Sequence, residues 1–492
     1  MTLGTLIIGI AITALILTGL MYFATDRVKN ILLSYLQNFV GALFIFSGLV
    51  KAVDPLGTAY KMEQYFGEFE STFSHTWFSF LAPMFPWLSN YVTAFSVIMI
   101  VFEIVLGVML IVGALRKLTA WAFLILVLFF TFLTGFTFLT GYVPEGVNFF
   151  QFAHWGPYVE TNMKVTDCGC FGDFLKLEPK VSFLKDVFLL IPGILFVIAW
   201  KHQHQLFSAT ARNLIALGTI VVTTIYCFSN FSWDLPHTDF RPFREGVNIR
   251  EQKHLEEEAA GNVEIEAYEM TNKETGEVVR LPFDQYMKEF KKYPKEQWEL
   301  KQIKSEPEVA HTKISEFDVS DIEGNEVTED ILSEEGYSFM VVAYRLYGQE
   351  GKTTQVVSDS IFVNDTIPSA DTLIVLKRFD RVDTRQESIA TYSWDQDYVA
   401  KWTNIINPIM KAGAEKGAKV YAITAYSGPE RIVDFQNTIA AEYPIYLADD
   451  ILLKTIVRSN PGLVLMKNGT IIKKWHYKKL PDFSTIEQEF MQ

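Results

Sequence analysis

The stretch VTDCGCFGDF, residues 165–174, holds two of the three cysteines in a chain of 492 residues. Cys168 and Cys170 stand one residue apart, with Asp167 and Asp173 on either side. Three chemistries are open to such a pair: a dithiol that cycles to a disulfide, a permanent staple, or part of a metal site. A disulfide across one intervening residue closes a small, strained ring, which raises the reduction potential and makes the bond a better oxidant. Gly169 suits that ring because it lacks a Cβ and admits unusual backbone angles. Metal is the weakest of the three. Structural zinc asks for four ligands, and only His154, fourteen residues upstream of Cys168, is near.

Other side chains stand where their types are unexpected. Glu103 lies midway along the apolar run VIMIVFEIVLGVMLIVG. A carboxylate at that depth of a bilayer costs ~2.5–3.5 kcal/mol or more unless it is paired, neutralised or facing water, so it is a functional candidate. A protonated Glu hydrogen-bonded between helices is the plainer alternative. Lys51 and Asp54 end another apolar run in SGLVKAVDP. Asp186 is expected in the first turn of a later one, where a helix N-terminus favours an acid and capping alone would explain it. Cys227 sits near the end of the last, and a lone buried Cys is more often packing than chemistry. A thiol beside a lysine at the mouth of a helix bundle would carry more thiolate, the reactive form.

The elements that must position these groups are membrane spans. Apolar runs of about 20 residues, enough to cross a bilayer as a helix, occur at about 2–24, 31–51, 88–114, 118–141, 182–200 and 212–231. The first has no basic residue before it and is too long for a signal-peptide core, so it reads as an anchor. Between spans two and three, Pro55, Pro83 and Pro86 punctuate an aromatic stretch with Trp77 and Trp87, which reads as an interfacial helix. Arg27, Lys29, Arg116, Lys117, Lys201 and Arg212 fall in three short connections, which should be cytoplasmic. The N-terminus, the cysteine loop and everything after residue 232 are then extracytoplasmic, which in a bacterium means an inner-membrane protein facing the periplasm. Lys51, Asp54, Cys168, Cys170, Asp186 and Cys227 all belong to that outer border. It is the oxidising side.

Residues 1–233 carry 12 Lys/Arg and 12 Asp/Glu, so the whole formal charge of -14 falls on the remainder. An acidic surface argues against nucleic acid and against a peripheral grip on anionic lipid. Residues 233–312 read as a linker: an extended, proline-broken segment, a hairpin signal in VEIEAYEMTNKETGEVVRLPF, and a charged connector that is part helix. From 313 to 492, strands alternate with helices and end in a hairpin closed by LMKNGTII, where Asn-Gly favours a tight turn. That order indicates a soluble α/β domain.

The second half is similar to the thioredoxin-like fold, especially its peroxiredoxin-related branch, over about residues 313–490. Asn460-Pro461 precedes the strand GLVLM where that fold has a cis-proline facing its active site, so the resemblance assigns Pro461 a docking role. Thioredoxins carry Cys-x-x-Cys after the strand equivalent to SFMVVAYRL. Here the chain continues YGQEGKTTQ, and no cysteine follows Cys227. This domain cannot exchange thiols itself and reads as a docking module.

The first half, over roughly residues 30–232, resembles the DoxX-like and MauE-type membrane proteins. SGLVKAVDP, Glu103 followed by Gly107, six spans and above all DCGCFGD carry the likeness. The resemblance implies thiol-disulfide or quinone-linked redox chemistry at the outer membrane face, because MauE-type proteins assist disulfide formation in a periplasmic dehydrogenase. It does not imply methylamine metabolism. The expected architecture is a polytopic α-helical bundle of six transmembrane helices in residues 1–232, followed by a soluble thioredoxin-like domain.

Two readings lead. In the first, Cys168 and Cys170 cycle, with Cys227, Lys51, Asp54, Glu103 and Asp186 as supporting groups, and electrons pass to a periplasmic thiol protein or a membrane quinone. In the second, a six-helix anchor in membrane lipid presents the soluble domain to a periplasmic client, and the Cys pair is a staple. A transporter is a further alternative, though no inverted repeat is visible.

Overall fold

The computed structural model of the chain describes residues 2–165, 169–305, 307–369 and 372–491. Cys168 lies outside the described residues. Two compact units divide the chain, Met1–Arg244 and Glu245–Gln492.

The first unit opens with α1 (Leu3–Ala24) and α2 (Ile31–Val53), followed by α3 (Pro55–Ser74) and the short α4 (Met84–Ser89). Then come α5 (Val92–Val112), α6 (Arg116–Thr140), α7 (Pro179–Ile198) and α8 (Ala209–Phe228), the last prolonged by a π-helical turn, Ser229–Trp233. Six of these, α1, α2, α5, α6, α7 and α8 with its π-turn, are long and apolar enough to cross a membrane. They fall where the apolar runs place them. The interfacial stretch becomes α3 and α4, outside the spanning set.

Close backbone approach joins α2 to α5. A Cβ placed on Gly107 would lie 2.7 Å from the Gly41 carbonyl oxygen, and one on Gly41 would lie 2.7 Å from that of Gly107. Small residues allow such contact where lipid offers no hydrophobic driving force between helices. Also from α2, Phe44 meets Phe123 of α6 with ring centroids 4.9 Å apart. Glu103 therefore sits on a helix held tightly against the one that carries Lys51.

The second unit begins with α9 (Ile249–Gly261) and a three-stranded antiparallel sheet of β1 (Ile265–Asn272), β2 (Val278–Pro282) and, after α10 (Phe283–Glu289), β3 (Trp298–Lys304), in the order β2-β1-β3. The expected hairpin is β1-β2. The charged stretch after it is more than a solvated connector, because β3 pairs with β1 along its length. Its apolar residues are too few to announce a strand; pairing with β1 supplies what propensity does not.

Next follow α11 (Thr328–Leu332), β4 (Tyr337–Ala343), β5 (Gly348–Ser369), β6 (Thr372–Trp394), α12 (Gln396–Lys401), α13 (Asn407–Glu415), β7 (Lys419–Ala425), α14 (Pro429–Thr438), β8 (Ile445–Ala448), α15 (Asp450–Ile456), β9 (Gly462–Lys467), β10 (Thr470–His476) and α16 (Phe483–Phe490). Five strands form a sheet in the order β10-β9-β4-β7-β8. β4, β7 and β8 run parallel, while β9 and β10 are antiparallel. Central β4 is buried from Ser338 to Ala343, the continuous apolar run expected of a strand covered on both faces. Asn468 and Gly469 turn β9 into β10 with φ of 49° and 72°, the left-handed pair that Asn-Gly favours. Unanticipated by patterning is the ribbon of β5 and β6, a two-stranded sheet rooted where Trp394 Nε1 donates to Asp434 at 2.6 Å.

Candidate functional site

SGLVKAVDP resolves into residues with separate tasks. Asp54 ends α2 and begins α3: its carboxylate accepts from the Gly57 N–H at 3.1 Å, and Pro55 follows as the first helical residue. Proline's fixed φ suits that position. The turn from α2 into α3 is thereby set at one residue, and Asp54 is placed as a helix cap. One turn earlier, Lys51 reaches into the bundle, where its Nζ lies 2.7 Å from Glu103 Oε2 and 5.2 Å from the centroid of Phe130. Both partners are buried. Breaking such a pair by removing one member leaves an uncompensated charge in a low-dielectric interior.

A second ionic group faces the same space. Asp186 is 1 % exposed, receives a hydrogen bond from Thr134 Oγ1 at 3.0 Å and contacts the ammonium of Lys185. Sequence placed this acid in the first turn of its span, as a cap. In fact α7 starts earlier, at Pro179, which puts Asp186 beyond the first turn, where the end of the helix no longer stabilises an acid. Lys185 and Thr134 do that instead.

The two ion pairs and Cys170 line one cavity of about 80 Å³ between α2, α3, α5, α6 and α7. The cysteine loop is strapped to α2: Ser47 Oγ donates to the Cys170 carbonyl at 2.9 Å, and Phe171 and Phe174 lie 6.4 and 5.6 Å from the Phe46 ring. Phe171 is fully buried, while Gly169 takes a left-handed φ of 62°. Lys51, Glu103, Cys170 and Asp186, each singled out from sequence, therefore meet. Lys61 of α3 and Lys185 of α7 join them, although sequence reading passed both over. The signal for Lys61 was present: Thr58, Lys61, Met62 and Tyr65 recur at helical spacing and share one face of α3.

Two other candidates lie elsewhere. Cys227 is fully buried among Ala52, Val97, Ile100 and Val101, outside the cavity lining. Pro461 follows a cis peptide bond at the start of β9, and beside it Asn460 Nδ2 and Tyr398 OH both donate to the Arg345 carbonyl, at 2.7 and 3.0 Å. Among the described residues, no three His, Cys, Asp or Glu side chains gather to hold a metal ion.

At about 80 Å³ the cavity is smaller than the void of about 150 Å³ that takes up a benzene ring.

Residues 29–144 match the family model of the methylamine utilisation protein MauE. The matched segment contains α2 to α6, with Lys51, Asp54, Lys61 and Glu103, and ends before the cysteine loop and α7. No curated protein and no solved structure matches the chain.

Proposed function

We propose that this protein is a membrane-embedded thiol-disulfide redox accessory protein acting through Cys168 and Cys170 on the extracytoplasmic side. The observation that carries the reading is Cys170 on the wall of a cavity that also holds the Lys51–Glu103 and Lys185–Asp186 pairs. Ionisable groups are expensive within a bundle of spanning helices and are kept there for function. The similarity of residues 29–144 to MauE and the DoxX-like pattern DCGCFGD support the same assignment.

The reaction balances without a cofactor. In the oxidised form the Cys168–Cys170 bond is attacked by a thiolate of a partner protein, giving a mixed disulfide and freeing one cysteine thiolate. The partner's second thiolate then displaces the other cysteine. The partner gains a disulfide, this chain gains two thiols, and the two protons pass from the partner's thiols to Cys168 and Cys170. Reoxidation is the same sequence reversed, against a more oxidising protein disulfide.

The second unit supports a docking role. The five-stranded order β10-β9-β4-β7-β8 and the cis peptide before Pro461 support a thioredoxin-like reading of the α/β sheet, and beyond β4, where such domains carry their cysteines, Tyr398 and Asn460 both donate to the Arg345 carbonyl. Pro461, itself buried, then shapes the surface around it that holds the partner.

Thiol trapping tests the proposal. The Cys168/Cys170 pair should shift between alkylated and protected forms as the reductant is varied, and Cys168→Ser or Cys170→Ser should accumulate a mixed disulfide. A pair that stays oxidised at every physiological poise would leave a stapled scaffold as the function.

A further inference from the structure

We propose that one face of the β5–β6 ribbon is the surface on which a second copy of this chain packs. The two strands form a sheet of their own, paired from Gly348 with Trp394 to Ser369 with Thr372. A two-stranded sheet is marginal in water unless an apolar face of it is covered. The proposal stands apart from the redox reading, since no ribbon residue lines the cavity beside Cys170.

The register sorts the ribbon's side chains into two unlike faces. Residues paired across the strands share a face, and faces alternate along each strand. Val356 pairs with Gln386, Ser360 with Val382 and Phe362 with Phe379, so these stand together. The two Phe rings meet edge to face, with centroids 5.9 Å apart. From the Thr354–Ser388 pair to the Phe362–Phe379 pair, this face carries no charged residue; Ser, Thr and Gln fill the positions between its four large apolar side chains. Those four, Val356, Phe362, Phe379 and Val382, are 49–59 % exposed. The opposite face is ionic: Asp359 pairs with Asp383, Arg381 Nε lies 2.9 Å from Asp383 Oδ1, and Arg385 Nε lies 3.7 Å from Asp359 Oδ2. Asp380, the extra residue of the bulge beside Phe362, lies 3.8 Å from the Arg381 guanidinium.

Charge selects the occupant. Around a two-fold axis each residue near the centre meets its own counterpart, so any charge there would face a like charge. A face free of charge meets that condition. A bilayer surface would instead ask for basic residues around the aromatic ones, and here Lys352 and Lys377 lie only beyond the two ends of the face. Nine residues, 354 to 362, make the face about 30 Å long, and two strands make it about 10 Å wide. Two such footprints cover roughly 600 Å², less than the ~1,200–2,000 Å² of interfaces that hold in free solution. Anchoring closes that gap. Copies held in one membrane by the same apolar helices carry their ribbons in one layer, which raises the effective concentration of one face for the other.

The test uses the full-length protein, labelled at its amino terminus with donor or acceptor dye and reconstituted together in phosphatidylcholine vesicles. Energy transfer is followed as the protein is diluted with lipid. The wild type should show a saturable dimer signal, and Phe362→Ser/Phe379→Ser should move its dilution midpoint about tenfold toward higher protein density. Ser358→Glu keeps the aromatic pair and places a charge on the same exposed face, so it should act alike even if the double variant fails to fold. Arg381→Glu, a charge reversal on the opposite face, should leave the midpoint within about twofold. A wild type that stays monomeric at every density would overturn the proposal. So would a dimer that Ser358→Glu leaves unchanged, or one that Arg381→Glu disrupts equally, since association would then use another surface.

Discussion

Lys51 Nζ and Glu103 Oε2 stand 2.7 Å apart with side chains 7 % and 2 % exposed, one from the last turn of α2 and the other from the middle of α5. Lysines near span ends normally extend toward the interface, so the inward course of Lys51 is a response to Glu103. Glu103→Gln or Lys51→Met should each destabilise the membrane unit by ~3–5 kcal/mol, since each strands a buried charge. The double variant Lys51→Met/Glu103→Gln should cost less than either single change. Unfolding titrations in mixed micelles, arranged as a double-mutant cycle, measure the coupling. Additive losses would mean that the two residues do not act as a unit.

Gly107→Ala should loosen the same helix pair. Its new Cβ would meet the Gly41 carbonyl at 2.7 Å and Ile45 Cγ1 at 2.8 Å, and neither helix can retreat without opening the α2–α5 contact. Overpacking of this kind costs ~1–3 kcal/mol. Gly67→Ala in α3 serves as the control, with nothing within 4 Å of its Cβ. That change should be neutral or stabilising by ~0.4–1 kcal/mol, from the reduced freedom of the unfolded chain.

The spans were legible because length and apolar composition are local properties, and the outlying Glu103, Lys51 and Asp186 were legible because each breaks an apolar or terminal pattern. Their pairing was not. Glu103 is 52 positions from Lys51, and depth in a bilayer says nothing about the direction a side chain takes around its helix. Cys227 shows the same limit: sequence puts it at the same border as Cys170, yet it packs with Ala52 and residues of α5 and lines no part of the cavity. Lys61 was hidden by company, in an aromatic and charged helix where one more lysine looks like a solvated face. In the second unit, the order of β4, β7, β8, β9 and β10 could be read because apolar runs alternate with amphipathic helices. β5 and β6 could not, because their alternation is carried largely by Thr, Ser, Asp and Arg, and most of their described side chains are exposed.

Cys227→Ala should separate packing from chemistry. The side chain is fully buried in an apolar cluster and lines no part of the cavity. Its loss removes one small, weakly polar group, at a cost of about 1 kcal/mol in unfolding experiments. The redox state of the Cys168/Cys170 pair in trapping gels should be unchanged. A shift in that state would return Cys227 to the reaction.

His204 should make the stability of the membrane unit depend on pH. It lies in the connector between α7 and α8, fully buried, with its backbone N–H donating to Gln37 Oε1 at 3.0 Å and its Nε2 2.7 Å from the Ile111 carbonyl. Its Nδ1 has no hydrogen-bond partner among the described residues. Burial pushes the imidazole below its ordinary value, and the hydrogen bond to Ile111 works in the opposite direction. The folded protein thus holds His204 neutral at pH values where the unfolded chain protonates it. Stability from this group is complete above the unfolded value of about 6.5 and is lost as pH falls from there through the lower folded value. Between pH 7.5 and 5.5 the wild type should lose up to about 1.4 kcal/mol per pH unit below 6.5 relative to His204→Gln, whose amide can still donate to Ile111. Parallel pH profiles for the two proteins would show that the imidazole does not titrate differently on folding.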